Sequence, residues 1–250
     1  MQRTKNYARL LQWVCDFGVF EPGFRKMSGF SFGEKMASAR KQLLFLLYPP
    51  KCAACGATGY KGLCPECSEA VKKAFQPKKF LATGGNGFAD AMYTLFIYDE
   101  YAVKKLLFGW KREDYRDLPP IFAPYIQKFL SKRLLPERIH CIAYLPRRRW
   151  KRRKAGFDQA ERIASLFSQR LHLPLQPLLF RRGFSKAQRK AKFEDREKNV
   201  RGVFHASLPL AGQTVLLIDD IVTTGATARE GARILKQAGA MKVYILSLAH

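Results

Sequence analysis

Residues 215–227 read VLLIDDIVTTGAT, and no other stretch of the chain restricts the fold as tightly. The apolar run 215–218 shows no alternation, so it suits a strand covered on both faces, as in a parallel sheet. It runs directly into Asp219 and Asp220. In open parallel sheets, ligands sit in the crevice beyond the carboxyl ends of the strands, and the acid pair stands at such an end. Residues 226–239, ATAREGARILKQAG, then read as a helix ending on glycine. A helix N-terminus offers unpaired N–H groups and partial positive charge, which favour a phosphate. Gly225 lets the backbone approach an anion closely. Thr223, Thr224 and Thr227 can donate to phosphate oxygens or cap the helix, and Ala226 is the small residue between them. A plain helix cap needs one acid and leaves the second without a purpose. Two adjacent carboxylates repel, which favours a hydroxyl donor or a divalent cation between them. A ribose 5-phosphate supplies vicinal hydroxyls for the acids and a phosphate for the loop.

The rest of the chain reads as strands and helices in alternation. Strands are expected at 92–98 (MYTLFIY), 140–145 (HCIAYL), 214–218 (TVLLI) and 242–249 (KVYILSLA). Helices are expected over 100–109, within 121–135 up to Pro136, and over 158–171. In the last of these, Ala160, Ile163, Ala164, Phe167 and Leu171 fall at helical spacing. Strands separated by helices imply an α/β domain with a mostly parallel sheet. No internal repeat is visible. Residues 36–48 read as a short helix ended by Pro49 and Pro50. Residues 71–87, with QPKK and GGNG, read as a linker. Gly18, Pro22, Gly23, Gly29 and Gly33 interrupt any period before residue 36, and Met27 and Met36 are alternative starts. The expected division is a poorly structured extension over 1–36, a four-cysteine module over 37–80 and an α/β domain over 88–250.

The chain has six cysteines. No segment approaches the roughly 18 apolar residues of a spanning helix, and no secretory leader is visible, so a cytoplasmic setting with reduced thiols is expected. Cys52/Cys55 and Cys64/Cys67 are two C-x₂-C pairs with eight residues between them, the pattern of a structural Zn²⁺ site. A redox dithiol pair and an iron–sulfur site are the competing readings. Cys141, inside an expected strand, reads as a small core residue.

Lys and Arg number 45 against 20 Asp and Glu, a net charge of +25. A balance this basic usually meets a polyanion. The charge is clustered. Arg147, Arg148, Arg149, Lys151, Arg152, Arg153 and Lys154 fill all but one of the positions 147–154, and Trp150 fills the other. They follow the strand 140–145, so they stand at the same crevice edge as Asp219. Trp150 and Phe157 can stack on bases. The cluster can take pyrophosphate, nucleic acid or both. A second basic stretch, 181–204, carries Arg181, Arg182, Lys186, Arg189, Lys190, Lys192, Arg196, Lys198 and Arg201 and reads as a mobile arm. No G-x-x-x-x-G-K-[ST] loop occurs.

An apolar strand followed by Asp-Asp-x-x-Thr-Thr-Gly-x-Thr resembles the phosphoribosyl pyrophosphate signature of type I phosphoribosyltransferases. The match covers Asp219, Asp220, Thr223, Thr224, Gly225 and Thr227. The resemblance implies the type I phosphoribosyltransferase fold. It implies that the two acids hold the ribose hydroxyls, that the Thr-rich loop holds the 5′-phosphate, and that Mg²⁺ accompanies the ligand. It places 147–154 at the pyrophosphate loop and a flexible loop within 181–204. The two cysteine pairs, RRKAGFDQAERIA at 152–164, DREKNVRGVF at 195–204 and the acidic motif together resemble the ComF (ComFC) family of competence proteins over about residues 43–249. That family usually reads Arg-Gly-Phe-Asn-Gln-Ala where this chain has Gly156-Phe157-Asp158-Gln159-Ala160 after Lys154 and Ala155. The resemblance implies DNA uptake during natural transformation, with single-stranded DNA and a competence helicase as partners, and a location at the inner membrane face through those partners. It leaves two activities open. One is a nucleic-acid-binding protein with a phosphoribosyl pyrophosphate pocket. The other is an active phosphoribosyltransferase with an unknown acceptor. No residue is assigned a catalytic role.

Overall fold

A computed structural model describes residues 49–81, 89–111, 119–132, 135, 138–181 and 201–250. The expected extension over 1–36, the helix over 36–48 and most of the second basic stretch lie outside the described residues. Pro49–His250 form one compact unit. Its elements are α1 (Pro65–Ala74), β1 (Phe75–Leu81), β2 (Ala91–Phe96), α2 (Tyr101–Lys111), α3 (Pro119–Ser131), β3 (Cys141–Tyr144) and α4 (Arg149–Ala155). They continue with α5 (Gln159–Leu171), β4 (Leu179–Arg181), β5 (Phe204–Ala206), β6 (Thr214–Ile221), α6 (Ala226–Gln237) and β7 (Lys242–Ala249).

The main sheet has the order β1-β2-β7-β6-β3. β2, β7, β6 and β3 are mutually parallel, and β1 joins antiparallel at the β2 edge. β4 and β5 form a separate antiparallel pair. Both faces of the main sheet are covered, which is why its strands are apolar without alternation. Leu216 and Ile218 join a core with Tyr93, Phe96, Trp110 and Phe167, whereas Val215 and Leu217 join a second core with Leu179, Phe204, Ala232 and Leu235. α5 packs against β6 and β3 on the first side. α6 packs against β6 and β7 on the second. Among the described residues, no helix is long and apolar enough to cross a membrane.

Residues 71–81 are not a linker. They complete α1 and form β1, which pairs with β2 through Lys78↔Thr94 and Lys79↔Tyr93. The sequence FQPKKFL looks like a loop because it is an edge strand. Pro77 sits where the register shifts between Phe75 and Lys78, the place a strand tolerates a missing donor. Lysines on the edge discourage pairing with other chains.

One buried ion pair fastens the base of the second core. Glu230, on α6, is 7% exposed and accepts from Arg233 Nε and Nη2, both at 2.7 Å, and from the Gly202 amide at 2.7 Å. Burial pushes its carboxyl up, but the Arg233 and Gly202 donors outweigh burial and hold it below the ordinary range. A carboxyl lowered by folding stabilises above its unfolded pKa, and that contribution is lost as pH falls through the lowered value. Glu230→Gln is therefore expected to melt at a lower temperature than wild type at neutral pH. The gap between the two curves should begin to narrow as pH falls below about 4, the unfolded carboxyl range, and close only below the lowered folded value, as thermal melts across pH would show.

Candidate phosphate and sugar site

The site is built on the carboxyl ends of β6 and β3. β6 stays paired with β7 through Asp219↔Ser247 and Ile221↔Ala249, so the acids stand on the last residues of a strand that is still hydrogen-bonded in the sheet. Each carboxylate is braced by the amide that follows it. The Asp220 amide donates to Asp219 Oδ1 at 2.9 Å, and the Ile221 amide donates to Asp220 Oδ1 at 2.8 Å. The Val222 amide donates to Ala249 O at 3.0 Å, which fixes the start of the loop. Gly225 closes it as the N-cap of α6 with φ +75°, a backbone that L side chains rarely adopt. A Cβ there would also lie 2.9 Å from Arg229 Nη1. The Ala226 amide reaches Thr224 Oγ1 at 3.4 Å.

Residues 219–228 line a cavity of about 320 Å³ together with Leu145, Pro146, Arg147 and Arg181. The whole acidic motif, Asp219, Asp220, Thr223, Thr224, Gly225, Ala226 and Thr227, therefore faces one space. Two arginines from elsewhere in the chain complete it. Arg147 Nη1 and Arg181 Nε are buried and have no hydrogen-bond partner among the described residues. Both residues line the cavity, while these two nitrogens are themselves shielded from solvent. Burial lowers the Arg181 guanidinium below its ordinary pKa and the nearby charge of Arg148 adds to this, while Asp219 and Asp158 oppose it. The cavity thus has a helix N-terminus with hydroxyls, a pair of carboxylates and two guanidinium groups. That set suits a sugar carrying more than one phosphate.

The basic cluster divides. Arg147 lines the cavity, whereas Arg148 is exposed and precedes α4. Trp150, Arg152 and Arg153 are exposed on α4, and Arg152 reaches Glu161 at 3.6 Å. The side chains of Arg149, Lys151 and Lys154 fall outside those the structure describes. Phe157 does not offer a stacking face. It is 8% exposed, its ring stacks on Trp110 at 6.1 Å, and the Arg162 guanidinium lies 4.4 Å over it. Arg181 is not part of an arm but the last residue of β4. The remaining basic residues from Arg182 to Lys198 lie outside the described residues.

Sequence reasoning missed the work of Asp158. It is 1% exposed, caps α5 by accepting from the Ala160 amide at 3.2 Å, and accepts from the Arg147 amide at 2.8 Å through its other oxygen. Both partners are donors, so a carboxylate serves both where an asparagine would present one acceptor and one NH₂. Burial raises its pKa, and the Arg147 amide works against that rise. Asp158 thereby ties the loop that carries Arg147 to a packed helix. The signal available beforehand was its place at the first residue of the helix expected over 158–171, where an acid can cap.

The four cysteines form one ligand set. The Sγ atoms of Cys52, Cys55, Cys64 and Cys67 lie within 4.8 Å of one another, with Cys55 and Cys64 at 3.7 Å. Four sulfurs around one ion at about 2.3 Å stand roughly 3.8 Å apart, so the set fits a tetrahedral metal. Cys64 is the N-cap of α1 and its amide donates to Cys52 Sγ at 3.3 Å. Burial pushes the Cys52 thiol up, but the amides of Cys55, Cys64 and Ala54 outweigh it and bring it down to about 6. Cys141, buried in β3, is pushed up to about 11 by burial and is an inert core thiol, as expected.

Residues 158–250 match the model of the phosphoribosyl transferase domain. The chain is 32% identical over 115 residues to the "DNA utilization protein YhgH" of Escherichia coli (strain K12), an alignment covering 46% of this chain and 49% of that protein. It is 29% identical over 119 residues to "Competence protein F" of Haemophilus influenzae, covering 46% and 51%. The chain spans about half the length of these curated relatives in the alignments. Among solved structures, adenine phosphoribosyltransferase from Leishmania tarentolae superposes with a TM-score of 0.30 at 19% identity, covering 52% of this chain and 71% of that one.

Proposed function

We propose that this chain, whose residues 158–250 form a type I phosphoribosyl transferase domain, binds magnesium phosphoribosyl pyrophosphate and acts on single-stranded DNA in DNA uptake. The observation that carries the pocket reading is that Arg147 and Arg181, from distant parts of the chain, line one cavity with Asp219, Asp220 and the start of α6. In this reading Asp219 and Asp220 accept from the ribose hydroxyls. Thr223, Thr224, Thr227 and the amides from Gly225 to Thr227 take the 5′-phosphate. Arg147 and Arg181 take the pyrophosphate. The adjacent carboxylates also fit a divalent cation, and Mg²⁺ would neutralise pyrophosphate charge there.

The nucleic-acid reading draws on the +25 net charge and on the exposed Arg148, Trp150, Arg152 and Arg153 beside the cavity. It also draws on homology to proteins named for DNA utilization and competence. A competence helicase is the partner it implies. The four-cysteine set would hold Zn²⁺ as a structural ion.

The completeness of the acidic motif within one cavity also favours a second reading, transfer of the phosphoribosyl group. A bond from sugar C1 to a nucleophilic acceptor would form as the bond to pyrophosphate breaks. Arg147 and Arg181 would stabilise the charge on the departing group.

Calorimetric titration of magnesium phosphoribosyl pyrophosphate into the full chain tests the pocket. Saturable single-site binding is expected, and absence of binding would remove both readings of the cavity. Release of pyrophosphate on adding an acceptor would select the second.

A further inference from the structure

We propose that the outward stripe of α2 is a contact surface for single-stranded nucleic acid, in which Tyr101 and Phe108 stack on bases while Lys104 and Lys105 meet phosphates. The proposal rests on the nucleic-acid reading above and locates a face for it that the basic cluster does not include. α2 buries Ala102, Val103, Leu106, Leu107 and Trp110 against the core. The positions it turns to solvent are Tyr101, Lys104, Lys105 and Phe108. These stand at i, i+3, i+4 and i+7, so they form one stripe along the helix. Tyr101 is 58% exposed and Phe108 53%.

Single exposed aromatic rings need no explanation. Two on one stripe, separated by lysines and with no acid in the helix, match the chemistry of single-strand binding. Rings accept any base face and ammonium groups track the backbone. Along the axis the two rings stand about 10 Å apart, seven residues at 1.5 Å each. The lysines already lie over aromatic rings. Lys105 Nζ is 5.4 Å from the Tyr101 ring centre, and Lys104 Nζ is 5.4 Å from that of Tyr98. Lys104 also stands 3.8 Å from Asp99, an exposed pair that contributes little.

The stripe does not stand alone. Trp110, at the same end of α2 as Phe108, stacks on Phe157, and Gln159 Nε2 donates to Trp110 O at 3.3 Å. This fastens that end of α2 to the junction between α4 and α5. Among the described residues the exposed aromatic rings are Tyr60, Tyr101, Phe108, Trp150 and Phe180, and three of these are on α2 and α4. Charge decides between a nucleic acid and an apolar partner. α2 carries lysines and no carboxylate, on a chain of net charge +25.

The test is fluorescence anisotropy of the full chain with labelled oligodeoxythymidine and with an abasic strand of equal length, between about 50 and 200 mM salt. Tyr101→Ala/Phe108→Ala is expected to weaken oligodeoxythymidine binding about tenfold at every salt concentration, with an unchanged slope and no effect on the abasic strand. Lys104→Ala/Lys105→Ala is expected to flatten the salt slope by about 1.4, at roughly 0.7 per single-strand phosphate. All four side chains are exposed, so melting temperature and metal content should match wild type. Equal oligodeoxythymidine affinity in the aromatic variant overturns the proposal while leaving the nucleic-acid reading intact. Failure of wild type to bind either strand overturns both, and the calorimetric test of the cavity is independent of either result. A loss confined to vesicles of anionic phospholipid also overturns it.

Discussion

Asp219→Asn/Asp220→Asn is expected to lose at least about 100-fold in affinity for magnesium phosphoribosyl pyrophosphate, equivalent to about 2.8 kcal/mol. The substitution is close to isosteric, and asparagine keeps an Oδ1 to accept from the amides of Asp220 and Ile221, so the loop should hold its shape. What it removes is negative charge. A hydroxyl donates more strongly to a carboxylate than to an amide, and a carboxylate pair holds a divalent cation where two amides do not. Simple Coulomb attraction predicts the opposite sign, because a polyanion meets fewer negative charges in the variant. Titrating inorganic pyrophosphate separates the two effects. It has no ribose hydroxyls, so without added Mg²⁺ it should bind the variant at least as well as wild type through Arg147 and Arg181. The phosphoribosyl ligand should bind wild type far better. Equal binding of that ligand to both proteins would show that the acids do not hold the sugar.

Removal of the metal is expected to unfold far more than the four-cysteine segment. Cys52, Cys64 and Cys67 are buried in the same core as Phe96, Leu106 and Trp110, and α1, which starts on Cys64, packs against α2. A structural Zn²⁺ site contributes an apparent 10–16 kcal/mol or so at neutral pH, as much as the whole stability of a typical domain, about 5–15 kcal/mol. Cys64→Ser, or a strong chelator with wild type, should therefore lower the melting temperature of the entire unit by many degrees, and one equivalent of metal should be lost. Elemental analysis alongside thermal melts would show this. A metal-free protein that melts with wild type would mean that the cysteines are held by packing alone. A quantitative disulfide content in the native protein would favour the redox reading instead.

Much of the site was legible because its signal is contiguous. The run 215–227 specifies a doubly buried strand, two acids at its end and a helix start, and each of those is a local property of neighbouring residues. The cysteine spacing is equally local, since each pair spans one turn. The strands β2, β3, β6 and β7 and the helix α5 follow from apolar patterns that burial on one or both faces imposes.

Other features have no local signature. QPKK reads as a loop, yet β2 needs a partner on its open side and β1 supplies it, a choice made by pairing. Phe157 looks available for stacking, yet Trp110, 47 residues earlier, covers it. Arg181 sits in a run of basic residues that looks solvated. The β4–β5 pair instead sets it, half-buried, on the wall of the cavity with Arg147 and Asp219, residues far from it in the chain. By itself the sequence determined that a buried strand ends in two acids and a threonine-rich helix start, and that four cysteines stand in two close pairs, because each is written within about a dozen residues. Tertiary structure alone decided which arginines face the acids and which aromatic rings remain open to solvent. Those depend on which distant surfaces pack together to remove apolar area from water, and no local pattern records that.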